Sequence, residues 1–415
     1  MEDIGLNLLG SYGSWGSARM SEKPPKSLSF CNPRWKSVDE WKQKARAKIT
    51  GLLGMPHLTK ASKIRTLKKY EYDGLNVEEL CWTLPYGPPT HAFFLKPAGA
   101  TEPLPGILAL HDHGGVKYFG KSKIVQTSKR VHPFIKEHQD TYYGGVPWAN
   151  EIAKQGYGVL VHDVFPFESR KIHASELPSH AVRRMMTPPL VVREVEPGDL
   201  APQSSIYDYD VSTQERVTEI NAYNAFGEQH EHIIAKSLFS SGLTWPGVFL
   251  AEDRFALNYL VSRPDINGRR VGCCGLSGGG LRTNYLAGID ERILCSVTAG
   301  FMTTWRDFVL NVNYTHTWMV YIPLLPRYMD FPEILGLRAP LPSLVLATRE
   351  DPLFTTAEAE RAGRILSNMY KKVHSPETFR ISFHEGSHKF DREMQSEAWD
   401  WMEQWLKRGT LNYTP

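Results

Sequence analysis

The sequence has few cysteines and no spacing that would pair them. Its 415 residues include only 5 cysteines, an odd number, and none of them forms a C-x-x-C pair. A disulfide framework or a structural zinc site is therefore disfavoured. The five are Cys31, Cys81, Cys273, Cys274 and Cys295.

An excess of one charge is also absent. The chain has 48 Lys and Arg against 45 Asp and Glu, which gives a formal net charge of +3. A charge this small creates no strong long-range field. We therefore expect no nucleic-acid partner and no binding to an anionic membrane surface, and we expect recognition to depend on a local pocket.

Long apolar runs and a secretory signal are missing as well. No segment approaches the ~20 consecutive apolar residues needed to cross a bilayer. The N-terminus carries Glu2 and Asp3 where a signal peptide needs basic residues, and Gly and Ser interrupt its apolar residues. These absences predict a cytoplasmic protein.

Apolar segments typical of buried strands alternate with helical segments from Gly106 onward. Such an alternation predicts the α/β class, with a mostly parallel central sheet covered by helices on both faces. The strand-like segments are GILAL, YGVLVHDVF, RRVGCCGLS, ILCSVTAG, SLVLATRED and TFRISFH.

The predicted domain organisation has two parts. Residues 1–100 comprise an irregular arm, a helix over residues 38–54 and an antiparallel extension, and residues 101–415 form the main α/β domain. Residues 166–209 interrupt the alternation and are predicted to be a cap or lid. The aromatic residues of the arm could contact a partner surface, so a homodimer is a hypothesis. These aromatics are Tyr12, Trp15, Phe30 and Trp35.

A G-x-S-x-G motif spans Gly275 to Gly279 and contains Ser277. The segment before it is strand-like, and GGGLRTNYLAG after it can begin a helix. A sharp strand-to-helix turn of this kind exposes the serine hydroxyl as a nucleophile. The alternatives are a glycine-rich turn with a capping serine, or a dinucleotide-binding loop, for which the G-x-G-x-x-G spacing is absent.

An acid and a histidine follow the serine in the order that this chemistry requires. Asp351 ends one predicted strand and His388 lies in a loop after the next, so we predict a triad of Ser277, Asp351 and His388. His388 would accept the serine proton, and Asp351 would orient the imidazole. Glu350 is the alternative acid and His384 the alternative base.

The segment LHDHGG, after the first predicted strand of the main domain, is the predicted oxyanion loop. A nucleophile of this type needs backbone N–H donors for the developing oxyanion. We predict one from Gly278 and another from His113, with Gly114 as the alternative. His111, Asp112 and His113 could instead suggest a metal site, but no third ligand follows at a suitable spacing, so we predict no metal and no cofactor.

Several segments together resemble the α/β-hydrolase superfamily, and within it the dienelactone hydrolase and acetyl xylan esterase branch. They are PLPGILALHDHGG, GYGVLVHDVFPFESR, RVGCCGLSGGG, LVLATREDPLF and HEGSHKF, between about residues 70 and 410. The resemblance implies a carboxylic-ester hydrolase that forms an acyl-enzyme. Dienelactone hydrolases use a cysteine nucleophile, so Ser277 favours the esterase side, although Cys274 is close.

The resemblance leaves the substrate open. A small or medium acyl ester is expected, on an acetylated sugar or an aromatic ester. A serine amidase or peptidase, or a hydrolase of carbon–carbon bonds, could use the same triad. About 100 N-terminal residues are too few for the propeller domain that often precedes serine peptidases. A non-catalytic binding protein with this fold is the remaining alternative.

Overall fold

The computed structural model describes residues 6–18, 20, 25–59, 61–186 and 217–408. Within these residues, nine strands form one sheet in the order β1-β2-β3-β5-β4-β6-β7-β8-β9. The strands are β1 (Arg65–Tyr72), β2 (Leu75–Trp82), β3 (Thr90–Pro97), β4 (Leu104–Leu110), β5 (Gly158–His162), β6 (Ile266–Leu276), β7 (Ile293–Ala299), β8 (Ser343–Thr348) and β9 (Phe379–His384).

Helices precede, connect and follow these strands. The α-helices are α1 (Gly13–Ala18), α2 (Val38–Leu53), α3 (Pro133–Tyr142), α4 (Trp148–Lys154), α5 (Ser179–Met186), α6 (Val217–Ser240), α7 (Trp245–Ser262), α8 (Gly278–Ile289), α9 (Trp305–Asp307), α10 (Pro332–Gly336), α11 (Thr356–Lys372) and α12 (Arg392–Met402). Short 3-10 and π turns fill several loops, including Lys121–Lys123 and Phe308–Val312.

The sheet confirms the predicted α/β class. Strands β4 to β9 pair in parallel, and every residue of β5 and β8 is buried, as expected of strands covered on both faces. Consecutive residues of a strand face opposite sides. Cys273 accordingly lies in the core layer beneath α7 and α8, whereas Cys274 lies in the layer beneath α4 and α12.

The first three strands continue the same sheet. β1, β2 and β3 pair antiparallel with one another, and β3 pairs antiparallel with β5. Asp73 and Gly74 join β1 to β2, and both have positive φ, which is the conformation that a tight hairpin turn requires. The antiparallel extension therefore enlarges the main sheet, while the domain boundary near residue 100 stays a prediction.

The arm contacts the protein's own core in a way that corrects one expectation. Phe30 and Trp35 are each only 2% exposed, whereas Tyr12 is 70% and Trp15 is 66% exposed. The Phe30 ring stacks on Trp41 of α2 at 4.6 Å between ring centroids. Phe30 and Trp35 are thus core residues and cannot contact a partner. Their burial fixes the arm against α2.

No disulfide joins the five cysteines, all of which lie in the described part of the chain. Cys273, Cys274 and Cys295 are buried in the sheet and act as small apolar residues. Among the described residues no single helix has the length and hydropathy of a membrane span. α6 and α7 reach that composition only as a pair bent by 85°.

A buried carboxyl attaches the arm to α10. Glu333 accepts hydrogen bonds from the hydroxyl of Ser29 (2.7 Å) and from the backbone N–H of Phe30 (2.8 Å) through one oxygen. Its other oxygen accepts from the N–H of Asp330 at 2.9 Å. Burial raises the pKa of Glu333 to about 7, although its hydrogen bonds from Ser29 and Asp330 oppose the shift.

Because the pKa of Glu333 is raised, we expect the free energy of unfolding to depend on pH. Because the folded-state pKa is about 7 and the ordinary value is 4.5, the folded state binds the proton more tightly. The contribution of Glu333 to the free energy of unfolding is fully present below pH 4.5. It is lost as the pH rises to about 7, which lowers the free energy of unfolding by about 3 kcal/mol. We expect Glu333→Gln to remove that loss. Urea unfolding of both proteins between pH 4.5 and 8 measures it, and a pH-independent difference would contradict the prediction.

Candidate active site

The predicted site residues meet at one edge of the sheet. Ser277 follows β6, Asp351 and His388 lie beyond β8 and β9, and His113 follows β4. These strands are parallel, so their carboxyl ends share that edge. Ligands of open α/β sheets bind at this edge.

Ser277 occupies a strained turn between β6 and α8. Its φ is 56° and its ψ −118°, a backbone conformation that a residue with a side chain rarely adopts. Its N–H donates to the carbonyl of Ala299 on β7 (2.9 Å), which holds the turn in place. The side chain makes no capping hydrogen bond to α8. The capping-serine alternative is therefore not supported, and the hydroxyl is left for chemistry.

Two glycines after the serine allow close packing of the turn. A Cβ on Gly279 would lie 2.1 Å from the carbonyl oxygen of Leu110, at the end of β4. A Cβ on Gly278 would lie 2.8 Å from the backbone nitrogen of His113. The glycines thus bring α8 directly against the loop after β4.

Asp351 and His388 form a hydrogen-bonded pair. The Nδ1 of His388 donates to the Asp351 carboxylate at 2.7 Å, so Nε2 is the ring nitrogen that can accept a proton. No described residue is a hydrogen-bond partner of that Nε2. The other Asp351 oxygen accepts from the N–H of Leu353 at 2.9 Å, which fixes the carboxylate. Both side chains are more than nine-tenths buried.

The alternative acid and base lie elsewhere. Glu350 is exposed. His384 is the last residue of β9, and its Nε2 contacts the Glu397 carboxylate of α12 at 2.9 Å. The structure thus pairs Asp351 with His388, whereas His384 is bonded to Glu397 and not to Glu350.

The loop after β4 lies beside the turn that carries Ser277. The nitrogen of His113 lies beside Gly278, as the glycine packing indicates. Gly278 is the first residue of α8, and the first N–H groups of a helix have no partner within the helix. In the described part of the chain no acceptor takes the N–H of His113 or of Gly114. Gly278 and His113 therefore lie side by side at the turn of Ser277, and Gly114 lines the same cavity as Ser277.

The side chains of His111, Asp112 and His113 diverge. The His111 ring bonds the carbonyl of Asp112, whereas the His113 ring bonds the Glu231 carboxylate of α6 at 2.7 Å. Burial would raise the pKa of Asp112, but Lys123 and His138 hold it well below its usual range. Within the described residues, no group of three or more His, Cys, Asp or Glu side chains is placed to hold a metal ion.

A cavity of about 210 Å³ lies at Ser277 and His388. Ser277 and His388 line it together with residues that sequence reasoning missed, notably Tyr142, Phe301 and His316. Burial lowers the pKa of His316, so its ring favours the neutral form. No motif marks these residues, because α3 and the loop after β7 reach the site only through the fold.

The loop after β7 forms part of the cavity wall. Phe301 and the segment 315–317 line the cavity from this side. The predicted cap at residues 166–209 is described only as far as Met186, and its remainder lies outside the described residues. Its function as a lid stays a prediction.

Cys274, three residues before Ser277, is not a competing nucleophile. It is completely buried within β6. Burial raises the pKa of its thiol well above the ordinary value, so the thiol stays protonated.

We expect Asp351→Asn to lower kcat by about 10³–10⁴-fold, because the amide cannot stabilise the imidazolium and favours the wrong imidazole tautomer. The matched control is Glu350→Gln, on the adjacent exposed residue, which should keep wild-type kcat. Steady-state ester hydrolysis by the two variants measures the difference. An equal loss in both, or a larger loss in E350Q, would contradict the assignment.

No protein-family model matches the sequence. The chain is 22% identical over 362 residues to the Bacillus subtilis (strain 168) protein "Putative hydrolase YtaP", a match covering 87% of this chain and 98% of that protein.

The fold is similar to that of several solved structures. A "putative acetyl xylan esterase" from Bacteroides fragilis NCTC 9343 has a TM-score of 0.62 at 16% identity, covering 91% of this chain and 83% of the other. A glucuronoyl esterase from Solibacter usitatus has a TM-score of 0.56 at 13% identity, with coverages of 91% and 96%. The predicted resemblance to α/β-hydrolases, and among them to acetyl xylan esterases, is confirmed, and the chain has the α/β-hydrolase fold.

Proposed function

We propose that this protein is a serine carboxylic-ester hydrolase that forms an acyl-enzyme on Ser277. One observation carries the proposal. A strained serine with an uncapped hydroxyl shares its cavity with a histidine whose Nδ1 is bonded to a buried carboxylate and whose Nε2 has no partner among the described residues. Hydrolases and esterases among the similar proteins support the same reaction class.

The first half of the reaction acylates the serine. Ser277 Oγ attacks the ester carbonyl carbon while His388 Nε2 removes its proton. The carbonyl oxygen becomes negative, and in this proposal the N–H groups of Gly278 and His113 stabilise it, which is supported by the close approach of their backbones. When the intermediate collapses, the alcohol leaves with the proton from His388, and the acyl group remains on Ser277.

The second half releases the acid. His388 Nε2 removes a proton from water, which attacks the acyl carbon, and the same N–H groups stabilise the second oxyanion. The proton then returns to Ser277 as the carboxylic acid leaves. Asp351 stabilises the imidazolium in both halves through the bond to Nδ1. The proposed steps use only side chains, backbone N–H groups and water.

The cavity favours a small or medium acyl group. Its volume is about 210 Å³, and Phe301, Leu276 and Leu353 give it apolar walls. A pocket of this size has room for a short acyl chain. We therefore infer esters with a short acyl group, with acetylated sugars and aromatic esters as the first substrates to examine.

A substrate panel tests the proposal. The purified protein is assayed with p-nitrophenyl esters of increasing acyl length, an acetylated sugar, and the p-nitroanilide matching the best ester. We expect the highest kcat/KM for short acyl esters and a much lower value for the anilide. Turnover of the anilide above that of the ester would favour the amidase alternative. Absence of turnover with every ester would contradict the proposal.

A further inference from the structure

A buried lysine lies behind the oxyanion loop. Lys123 belongs to the 3-10 turn Lys121–Lys123, and the residue is 0% exposed. Its Nζ donates to the carbonyl oxygens of Asp112 (2.5 Å), His113 (3.1 Å) and Val116 (3.3 Å). It also contacts the Asp112 carboxylate at 3.1 Å. One ammonium group thus holds three carbonyls of a single loop.

Because the peptide bond is planar, the direction of these carbonyls also determines the direction of the neighbouring N–H groups. In a trans peptide the C=O and the following N–H point to opposite sides. Because the carbonyl of Asp112 points at Lys123, the N–H of His113 points away from it. Likewise, the carbonyl of His113 sets the direction of the N–H of Gly114. Of these two N–H groups, that of His113 is predicted to complete the oxyanion hole with Gly278, and that of Gly114 is the alternative.

The other polar groups of His113 are already engaged. Its ring Nε2 bonds Glu231 at 2.7 Å, and its Nδ1 accepts from the N–H of Gly115 at 3.1 Å. Its carbonyl binds Lys123 and also accepts from the N–H of Val116. Among the described residues only its backbone N–H has no partner, and that nitrogen lies beside Gly278.

Lys123 also compensates a charge that would oppose catalysis. The Asp112 side chain is buried, and the residue lines the cavity of Ser277. An uncompensated carboxylate there would repel the developing oxyanion. Lys123, His138 and Tyr143 surround this carboxylate. Burial lowers the pKa of Lys123, and the Asp112 carboxylate opposes that shift.

We propose that Lys123 is a positioning residue of the reaction, which orients the N–H groups of His113 and Gly114 toward the oxyanion and offsets the charge of Asp112. The inference rests on the proposed ester hydrolysis. Lys123 does not touch the substrate. Its contribution should appear in the transition state, where the oxyanion forms, and hardly in the binding of the neutral ester.

The chain supplies a matched control two residues away. Lys121 is a second buried lysine in the same 3-10 turn. Its Nζ contacts Asp163 at 2.9 Å and also Glu168, so it stabilises a buried charge cluster just as Lys123 does. Lys121 bonds none of the oxyanion-loop carbonyls. A purely structural effect should therefore be similar for both lysines, whereas an effect on catalysis should belong to Lys123.

The experiment compares Lys123→Met with Lys121→Met in the full chain. Wild type is assayed first with the best ester of the panel, and absence of turnover there would reject the proposed function itself. For K123M, checked for folding by circular dichroism, we expect kcat to fall by about 10²–10³-fold, the size of losing one oxyanion donor, with little change in KM. The affinity for a boronic acid, which forms a tetrahedral anion on the serine, should fall in parallel. K121M should keep kcat per folded molecule.

A second pair of variants tests the inference without leaving the buried Asp112 carboxylate unpaired, which could destabilise the fold. Asp112→Asn neutralises the carboxylate, so K123M/D112N buries no unpaired charge. Comparison of this double variant with D112N alone isolates the contacts between Lys123 and the carbonyls. We expect a further loss of kcat and of boronate affinity in the double variant. Equal kcat in these two proteins, or an equal fall of kcat in K123M and K121M, would overturn the inference.

Discussion

Replacing Ser277 with alanine is expected to lower kcat for ester hydrolysis by at least about 10⁴-fold, because the variant has no nucleophile to form the acyl-enzyme. The substitution removes only one oxygen. It keeps a Cβ at the strained position, and the backbone hydrogen bond to Ala299 remains available. Stability should therefore change little, and steady-state kinetics on the purified variant should report chemistry alone.

A serine far from the site serves as the control for this variant. Ser262 is exposed at the end of α7, so Ser262→Ala should match wild type in kcat and in unfolding midpoint. Residual turnover in S277A should reflect only the oxyanion donors and binding. A S277A variant that hydrolyses esters within tenfold of wild type would reject Ser277 as the nucleophile.

The second large effect is expected at the histidine. His388→Ala removes the group that accepts the Ser277 proton and returns it to the alcohol, so kcat should fall by about 10³-fold or more. The same substitution at His384 removes a contact with Glu397 on α12, outside the cavity. We expect His384→Ala to retain most of the wild-type kcat.

The two histidine variants form a matched pair. Each replaces one imidazole that is about nine-tenths buried and hydrogen-bonded to a carboxylate. A general loss of packing or charge pairing would affect both. Kinetics with one ester, with unfolding midpoints measured in parallel, separate stability from chemistry. A large loss in H384A with activity retained in H388A would exchange their assignments.

The local sequence was sufficient to place the candidate triad. G-x-S-x-G between a strand and a helix places Ser277 at the end of β6, and strands followed by Asp351 and His388 place their side chains at the same edge. Parallel strands share their carboxyl edge, so residues separated by more than 100 positions meet without any long-range information in the sequence.

The surroundings of the triad could not be predicted in this way. Lys123 lies in a short turn with no apolar periodicity, and nothing local indicates that its ammonium binds the carbonyls after β4. Glu231 is one polar residue on α6, yet it bonds His113 and Lys117. These contacts depend on how loops and helices pack, which the residue pattern does not encode.

The arm shows the same limit. Phe30 and Trp35 lie in a segment without periodicity, so exposure and burial were equally consistent with the sequence. Burial is decided by α2, against which Phe30 stacks, and by the buried carboxyl of Glu333, which binds the N–H of Phe30. Phe30 is thus part of the core, where a tertiary partner satisfies its backbone N–H.

The covalent adduct of a fluorophosphonate, located by mass spectrometry of peptides from the labelled protein, shows which residue is the nucleophile. Such a probe reacts with a serine that an adjacent histidine activates, and its phosphonyl group mimics the tetrahedral intermediate. If Ser277 is the nucleophile, we expect a single adduct on Ser277, absent in S277A, and strongly slowed labelling in H388A. An adduct on another residue, or continued ester hydrolysis with Ser277 unlabelled, would contradict that assignment.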